Sequence, residues 1–154
     1  MNVYFIIHKK MLSWFQKPIT QRIGFDDVLY ALKLPATYVL INTLPVDMQS
    51  CLIKGTLRHD IEEDTINNFL NLPSIKYPTI ILYGKNSSDS TVDKKERQLT
   101  ELGFRDVYIY GGGMLEWLLL QETYGLYEFP TTKHINDILK YKPPSIFQLP
   151  RIGN

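Results

Sequence analysis

Apolar positions fall into short runs and helix-spaced stripes that alternate along most of the chain. Thr79-Ile80-Ile81-Leu82-Tyr83 is a β-branched and aromatic run, short enough for a buried strand. It leads straight into a polar loop, Gly84 to Ser90. A charged segment follows in which Val92, Leu99 and Leu102 are the sparse apolar contacts of a helix. Gly103 caps that helix, and Val107-Tyr108-Ile109-Tyr110 reads as the next strand before Gly111-Gly112-Gly113. Strand, loop, helix, glycine, strand is a βαβ unit, which predicts a parallel sheet with a right-handed crossover. Ligands of such sheets sit at the carboxyl ends of strands, so the loop after Tyr83 is the default site.

The rest of the chain extends this pattern. Tyr4, Ile7, Met11, Trp14 and Phe15 recur at helical spacing, and the first 25 residues hold Lys9, Lys10, Lys17 and Arg22 with no acid. Residues 1–17 therefore predict a basic amphipathic helix. Packing on the domain is favoured over membrane contact, because Trp14 and Phe15 are good packing anchors. Ile19 to Ile23 predicts a short strand. Phe25 to Leu32 predicts a helix, with Phe25, Val28, Leu29 and Leu32 on one face, Asp26 and Asp27 near its positive end, and Pro35 as a stop. Tyr38 to Asn42 is a second buried strand, and Cys51 to Thr56 a further strand segment. Arg58 to Asp64 reads as an exposed lead-in to a short helix carrying Ile66, Phe69, Leu70 and Leu72 and ended by Pro73. Met114 to Tyr124 predicts another helix. Pro130 and Thr131-Thr132 read as a stop and an N-cap before a last short helix with Ile135, Ile138 and Leu139, and Pro143, Pro144 and Pro150 extend the tail. The expected organisation is an N-terminal helix over 1–17, one α/β domain over 18–127, and a short helix with a proline-rich tail over 128–154.

Composition narrows the function classes. At 154 residues the chain fits one domain that buries about 70% of its unfolded surface. A formal charge of +1 argues against a dedicated nucleic-acid binder. The lone Cys51 excludes an intrachain disulfide framework and suits a reducing compartment. No apolar run approaches the ~18 residues of a membrane span, and Val3 to Ile7 is too short for a signal peptide, so cytoplasmic residence is expected. His8, His59 and His134 lack metal-ligand spacing, Glu62-Glu63-Asp64 reads as a solvated face, and no cofactor is expected.

Tyr83, Leu102-Gly103-Phe104, Val107-Tyr108, Gly111-Gly112 and Trp117, in that order, resemble the signature of rhodanese-like domains over roughly Ile19 to Tyr127. The loop sequence Tyr83-Gly84-Lys85-Asn86-Ser87 is similar to that of rhodanese-like proteins encoded by large nucleocytoplasmic DNA viruses, which would place the protein in host cytoplasm. The resemblance implies a parallel sheet of about five strands with helices on both faces. It also implies a loop cysteine whose thiolate, cradled by amides, takes up sulfur as a persulfide. Gly55 matches a glycine of the family segment that commonly reads His-Ile-Pro-Gly-Ala. Several positions depart from the pattern. Gly84 stands where the nucleophilic cysteine follows the tyrosine, Asn42 and Leu44 replace an Asp-x-Arg arrangement, and the loop is two residues longer than the common spacing.

Those departures bear directly on chemistry. A glycine carries no nucleophile, and the absence of arginine from the loop excludes a phosphatase of the cell-cycle kind. Ser87 or Ser88 would need a base, and no histidine follows in the segment; Asp89 would oppose an anionic substrate. Cys51 reads as a buried structural thiol in preference to a catalytic one. The candidate loop is Gly84, Lys85, Asn86, Ser87, Ser88, Asp89, Ser90 and Thr91, and it supports two readings. Its amides, at a helix N-terminus beside Lys85, could bind a small anion or an acidic side chain of a partner. Alternatively the loop caps the helix itself, Ser90-Thr91-Val92-Asp93 fitting a capping box. The leading function is a catalytically silent rhodanese-like module that binds a protein partner or a small anion. The alternatives are a sulfurtransferase using Cys51 and a structural or membrane-peripheral protein using residues 1–17.

Overall fold

A computed structural model describes residues 21–147, so the helix expected over 1–17 and the end of the tail lie outside the described residues. Within them, four strands form one parallel sheet: β1 (Gln21–Ile23), β2 (Tyr38–Asn42), β3 (Thr79–Tyr83) and β4 (Val107–Tyr110), in the order β1-β4-β3-β2. Register sets Asn42 beside Tyr83 and Ile81 beside Tyr108, so the strands end at one edge, where the loops gather. Four α-helices flank the sheet: α1 (Phe25–Leu32), α2 (His59–Leu70), α3 (Thr91–Glu101) and α4 (Gly113–Tyr124).

Side chains alternate across a strand, and here both faces are covered, which is why the strands read as nearly continuous apolar runs. Leu40, Ile81, Tyr83 and Tyr110 pack with Val28 and Ala31 of α1 and with Met114, Trp117 and Leu118 of α4. Ile41, Ile80, Leu82, Val107 and Ile109 pack on the other side with Ile66 of α2 and Val92 and Leu99 of α3. Trp117 meets Phe129 edge-on at 5.1 Å between ring centroids, and Phe129 meets Phe25 at 5.8 Å, so residues beyond α4 complete this core.

The class is the expected α/β arrangement, with the fifth expected strand reduced to one bridge, Thr56 to Leu40. Gly55, at φ +92°, turns the chain, and both the amide and the hydroxyl of Thr56 bond back to the carbonyl of Ile53. A turn so closed cannot extend a ladder. Cys51 to Thr56 is therefore a loop, and Ile53 pairs antiparallel with Thr131 instead. That pairing, with the Thr132 amide donating to Leu52 O at 2.8 Å, uses the threonines expected to cap a helix. The segment after them forms only a 3-10 turn, Ile138–Tyr141, whose Tyr141 is fully buried. Arg58 to Asp64 differs too: α2 starts at His59, so the lead-in is helix. Glu62 is not solvated but buried and ion-paired with Lys95 of α3.

Candidate functional site

The site is built where β3 ends. Tyr83 is fully buried, and its hydroxyl accepts from Ile53 N–H at 3.2 Å and shares a 2.7 Å hydrogen bond with Thr56 Oγ1. Burial pushes this phenol far above its ordinary pKa, so it stays neutral and anchors the 53–56 turn to the end of the sheet.

From Tyr83 the chain passes through Gly84 into a loop held from two sides. The N-terminus of α4 supplies one hold: Met114 and Leu115 donate their amides to Gly84 O and Lys85 O, each at 2.9 Å. Orphan donors of a helix start are thereby spent on the loop. Gly113, at φ +61°, permits this approach; a Cβ there would lie 2.6 Å from Gly84 O and 2.9 Å from Asn86 N. Buried Asn86 supplies the other hold, donating Nδ2 to Tyr141 O at 2.7 Å while its Oδ1 accepts from Ser88 N–H at 2.9 Å.

Asp89 lies at the centre. One carboxylate oxygen accepts from Lys85 N–H at 2.8 Å, and the other from the amide and the hydroxyl of Thr91, at 3.1 and 2.6 Å. Thr91 Oγ1 is also 2.8 Å from Thr43 Oγ1, which ties the start of α3 to the end of β2. Partial burial raises the Asp89 pKa, but the hydrogen bonds from Lys85 and Thr91, with the Lys85 charge, outweigh it and hold the carboxyl below its ordinary value. The expected capping box is not formed: Ser90 makes no side-chain cap, and Asp89, one residue earlier, fills that role. Ser87, Ser88 and Ser90 are exposed.

Gly84 is the residue at which the resemblance would place a loop nucleophile. A Cβ built there would lie 2.5 Å from Asp89 Oδ2, 2.9 Å from its Cγ and 3.1 Å from Thr43 Oγ1. The carboxylate thus fills the space of the missing side chain, and the amides of Lys85, Ser88 and Thr91 are satisfied from within the loop. Sequence reasoning placed Gly84 to Thr91 together but missed Thr43, Gly113 and Tyr141. Two signals for the closure were present, Asn86-Ser87-Ser88 and Asp89-Ser90-Thr91, each an Asx pattern that bonds the backbone two residues on.

Cys51 lies in the core on the α1/α4 side, fully buried, with Sγ donating to Lys133 O at 3.0 Å. Burial raises its pKa; a hydrogen bond with Thr131 and the nearby charges of Lys140 and Lys133 only partly offset this. The thiol has neither the solvent access nor the thiolate character of a nucleophile. Among the described residues no cluster of three or more potential metal ligands occurs, and no helix is long and apolar enough to cross a membrane.

No family model matches the chain, and no curated protein matches it. Solved structures do. A full-length protein from Lactobacillus plantarum is 17% identical, matches over 82% of this chain and 99% of its own, and superposes with a TM-score of 0.56. The BH2092 protein of Bacillus halodurans is 19% identical over 76% of this chain and 82% of its own, with a TM-score of 0.53. What the chain shares with them is the fold. The single-domain sulfurtransferase RDL2 of Saccharomyces cerevisiae, at 15% identity over 71% of this chain and 97% of its own, reaches a TM-score of 0.48, too loose a match to speak to fold or function.

Proposed function

We propose that the chain is a catalytically silent rhodanese-like domain that acts in the cytoplasm by binding a protein partner. The motif order from Tyr83 to Trp117, set on a parallel sheet with the loop at its carboxyl edge, supports the rhodanese-like reading. One observation supports the silence: the Asp89 carboxylate stands 2.5 Å from where a side chain would begin at Gly84, the residue at which the resemblance puts the nucleophile. Sulfur transfer of the rhodanese kind needs a thiolate at that point, and a glycine beside an acid offers none. The loop amides that would favour a small anion already serve Asp89 and Asn86, which turns the reading toward a protein partner. Tyr124, Leu126 and Tyr127, at and just beyond the end of α4, leave 63%, 51% and 94% of their surface exposed and offer an apolar contact of the kind partners use. The resemblance of the loop to viral rhodanese-like proteins supports a host-cytoplasmic setting.

The test is thiosulfate:cyanide sulfurtransferase turnover of the purified protein, with mass spectrometry of the protein after thiosulfate treatment. The expected results are turnover at the no-enzyme blank and no 32 Da persulfide adduct (about one sulfur atom on a thiolate). Turnover above the blank that disappears on Cys51→Ser would overturn the proposal in favour of an active enzyme.

A further inference from the structure

We propose that Gly84 and Asp89 are an interlocked pair, in which the acid occupies the space that a side chain at position 84 needs and so holds the loop shut to chemistry there. This deepens the silent-module reading and rests on it. Two glycines bear on the same loop for different reasons. Gly113 has φ +61°, and its absent Cβ would strike backbone atoms of Gly84, Lys85 and Asn86, so the path of the main chain demands a glycine. Gly84 has no positive φ, so its backbone accepts any L-residue. The three nearest obstacles to a Cβ at Gly84 are side-chain atoms: two of Asp89 and one of Thr43. Side-chain ends can swing aside.

If Asp89 swings away, however, the Lys85 amide and the Thr91 amide and hydroxyl lose their acceptor. The main penalty for a side chain at position 84 is therefore the loss of the Asp89 bonds, and with those bonds already absent the same side chain meets only Thr43 Oγ1, at 3.1 Å, among its nearest obstacles. The closure is electrostatic as well as steric. A carboxylate beside a thiol raises the thiol pKa and repels anionic sulfur donors. Restoring a cysteine alone leaves the loop inert; opening it takes a change at both positions.

The coupling is measured in a Cys51→Ser background, which removes the single native cysteine. Gly84→Cys, Asp89→Ser and the double variant are compared by thermal unfolding midpoint and by iodoacetamide rate as a function of pH. Serine at 89 is short enough to clear the space and keeps a hydroxyl for the helix start. The expected fall in midpoint of the double variant is well below the sum of the two single falls. Its thiol reacts about tenfold faster at pH 7 than that of Gly84→Cys alone, as a thiolate favoured by freed amides would. Additive midpoints, or a single-variant thiol that reacts as fast as the double, overturn the proposal. A Gly84→Cys protein that folds only when Asp89→Ser accompanies it supports the interlock. If neither folds, the cycle is repeated with Gly84→Ala, and additivity there overturns it. Failure of the interlock leaves the silent reading standing. Turnover by the unaltered protein defeats the silent reading without touching the coupling.

Discussion

Replacing Tyr83 by phenylalanine removes one oxygen and tests whether the end of β3 organises the site. The Tyr83 hydroxyl accepts from Ile53 N–H and shares a hydrogen bond with Thr56 Oγ1, which itself lies 2.6 Å from Ile53 O. After Tyr83→Phe the Thr56 hydroxyl keeps the Ile53 carbonyl, but the Ile53 amide is left without its acceptor. Ile53 is completely buried, so no bulk water can replace it. A buried donor stripped of its partner costs about 1–3 kcal/mol. For a domain of this size each kcal/mol moves the midpoint by roughly 2–4 °C, so a fall of about 2–12 °C is expected. Thr56→Val is the control: it leaves the Ile53 amide bonded to Tyr83 and removes the bond between the hydroxyls together with the Thr56 hydroxyl's bond to Ile53 O, a carbonyl that still accepts from the Thr56 amide. Its loss should be smaller, and the pair of changes should be non-additive because they share one network. Urea unfolding at neutral pH, with unchanged slope, is the assay. A Tyr83→Phe protein within about 0.5 kcal/mol of the parent, the usual range for surface changes, would show that the hydroxyl does not hold the turn.

Three further outcomes are expected. Asp89→Ala should lower stability by about 0.5–2 kcal/mol at pH 7, the range for loss of an N-terminal helix cap. The folded-state pKa of Asp89 is depressed, so its contribution is fully present above the unfolded pKa and lost as pH falls through the folded one; parent and variant midpoints should converge in acid. Gly113→Ala should cost more than about 2 kcal/mol in urea unfolding, since it forces a positive φ and a backbone clash together; near-parent stability would mean α4 does not press on the loop. Cys51 should label with a thiol reagent at least about a hundredfold more slowly in the native state than in denaturant, because its buried thiol is accessible only on opening; equal rates would show it is exposed.

Much of the fold is legible in the chain because the elements that define it are set locally. Thr79–Tyr83 and Val107–Tyr110 are apolar, short and bounded by polar or glycine residues, and the structure keeps those bounds. Phe25–Leu32 declares itself by its stripe and by Pro35. The misread segments depend on partners remote in sequence. The first half of α2 looks exposed because its acids mask its helical pattern, and only the arrival of Lys95, 33 residues on, makes burial of Glu62 tolerable. Leu52-Ile53 has the composition of a strand, yet Gly55 folds the segment back and Thr131, far along the chain, takes the pairing. For the loop, sequence names the residues but not the choice between cradle and cap. That choice turns on where one carboxylate points, in a loop held by residues remote in sequence: Gly113 beside its backbone, Tyr141 on Asn86 and Thr43 on Thr91.

The orientation of that carboxylate decides how the loop amides are satisfied. A loop at a helix N-terminus presents amides that need an acceptor, and each buried amide left without one costs about 1–3 kcal/mol. Removing a nucleophile from such a loop, with nothing in its place, leaves the amides facing a void. Asp89 supplies two acceptor oxygens to the amides of Lys85 and Thr91, and Gly84 leaves the room for them. A free anion must then compete with a carboxylate tethered in the same loop, whose effective concentration is millimolar or higher. A dilute small anion does not win that competition. Under the proposed binding role, recognition falls to the surrounding surface, where Lys85, Ser87 and Ser88 remain in reach of solvent. A partner that used the loop itself would have to bring a group better than Asp89 for the same amides. In the Asp89→Ser protein that competitor is gone, and small anions such as sulfate should raise its midpoint while leaving the parent unmoved beyond the general effect of salt. Equal stabilisation of both proteins would refute the account of Asp89 as the ligand of its own loop.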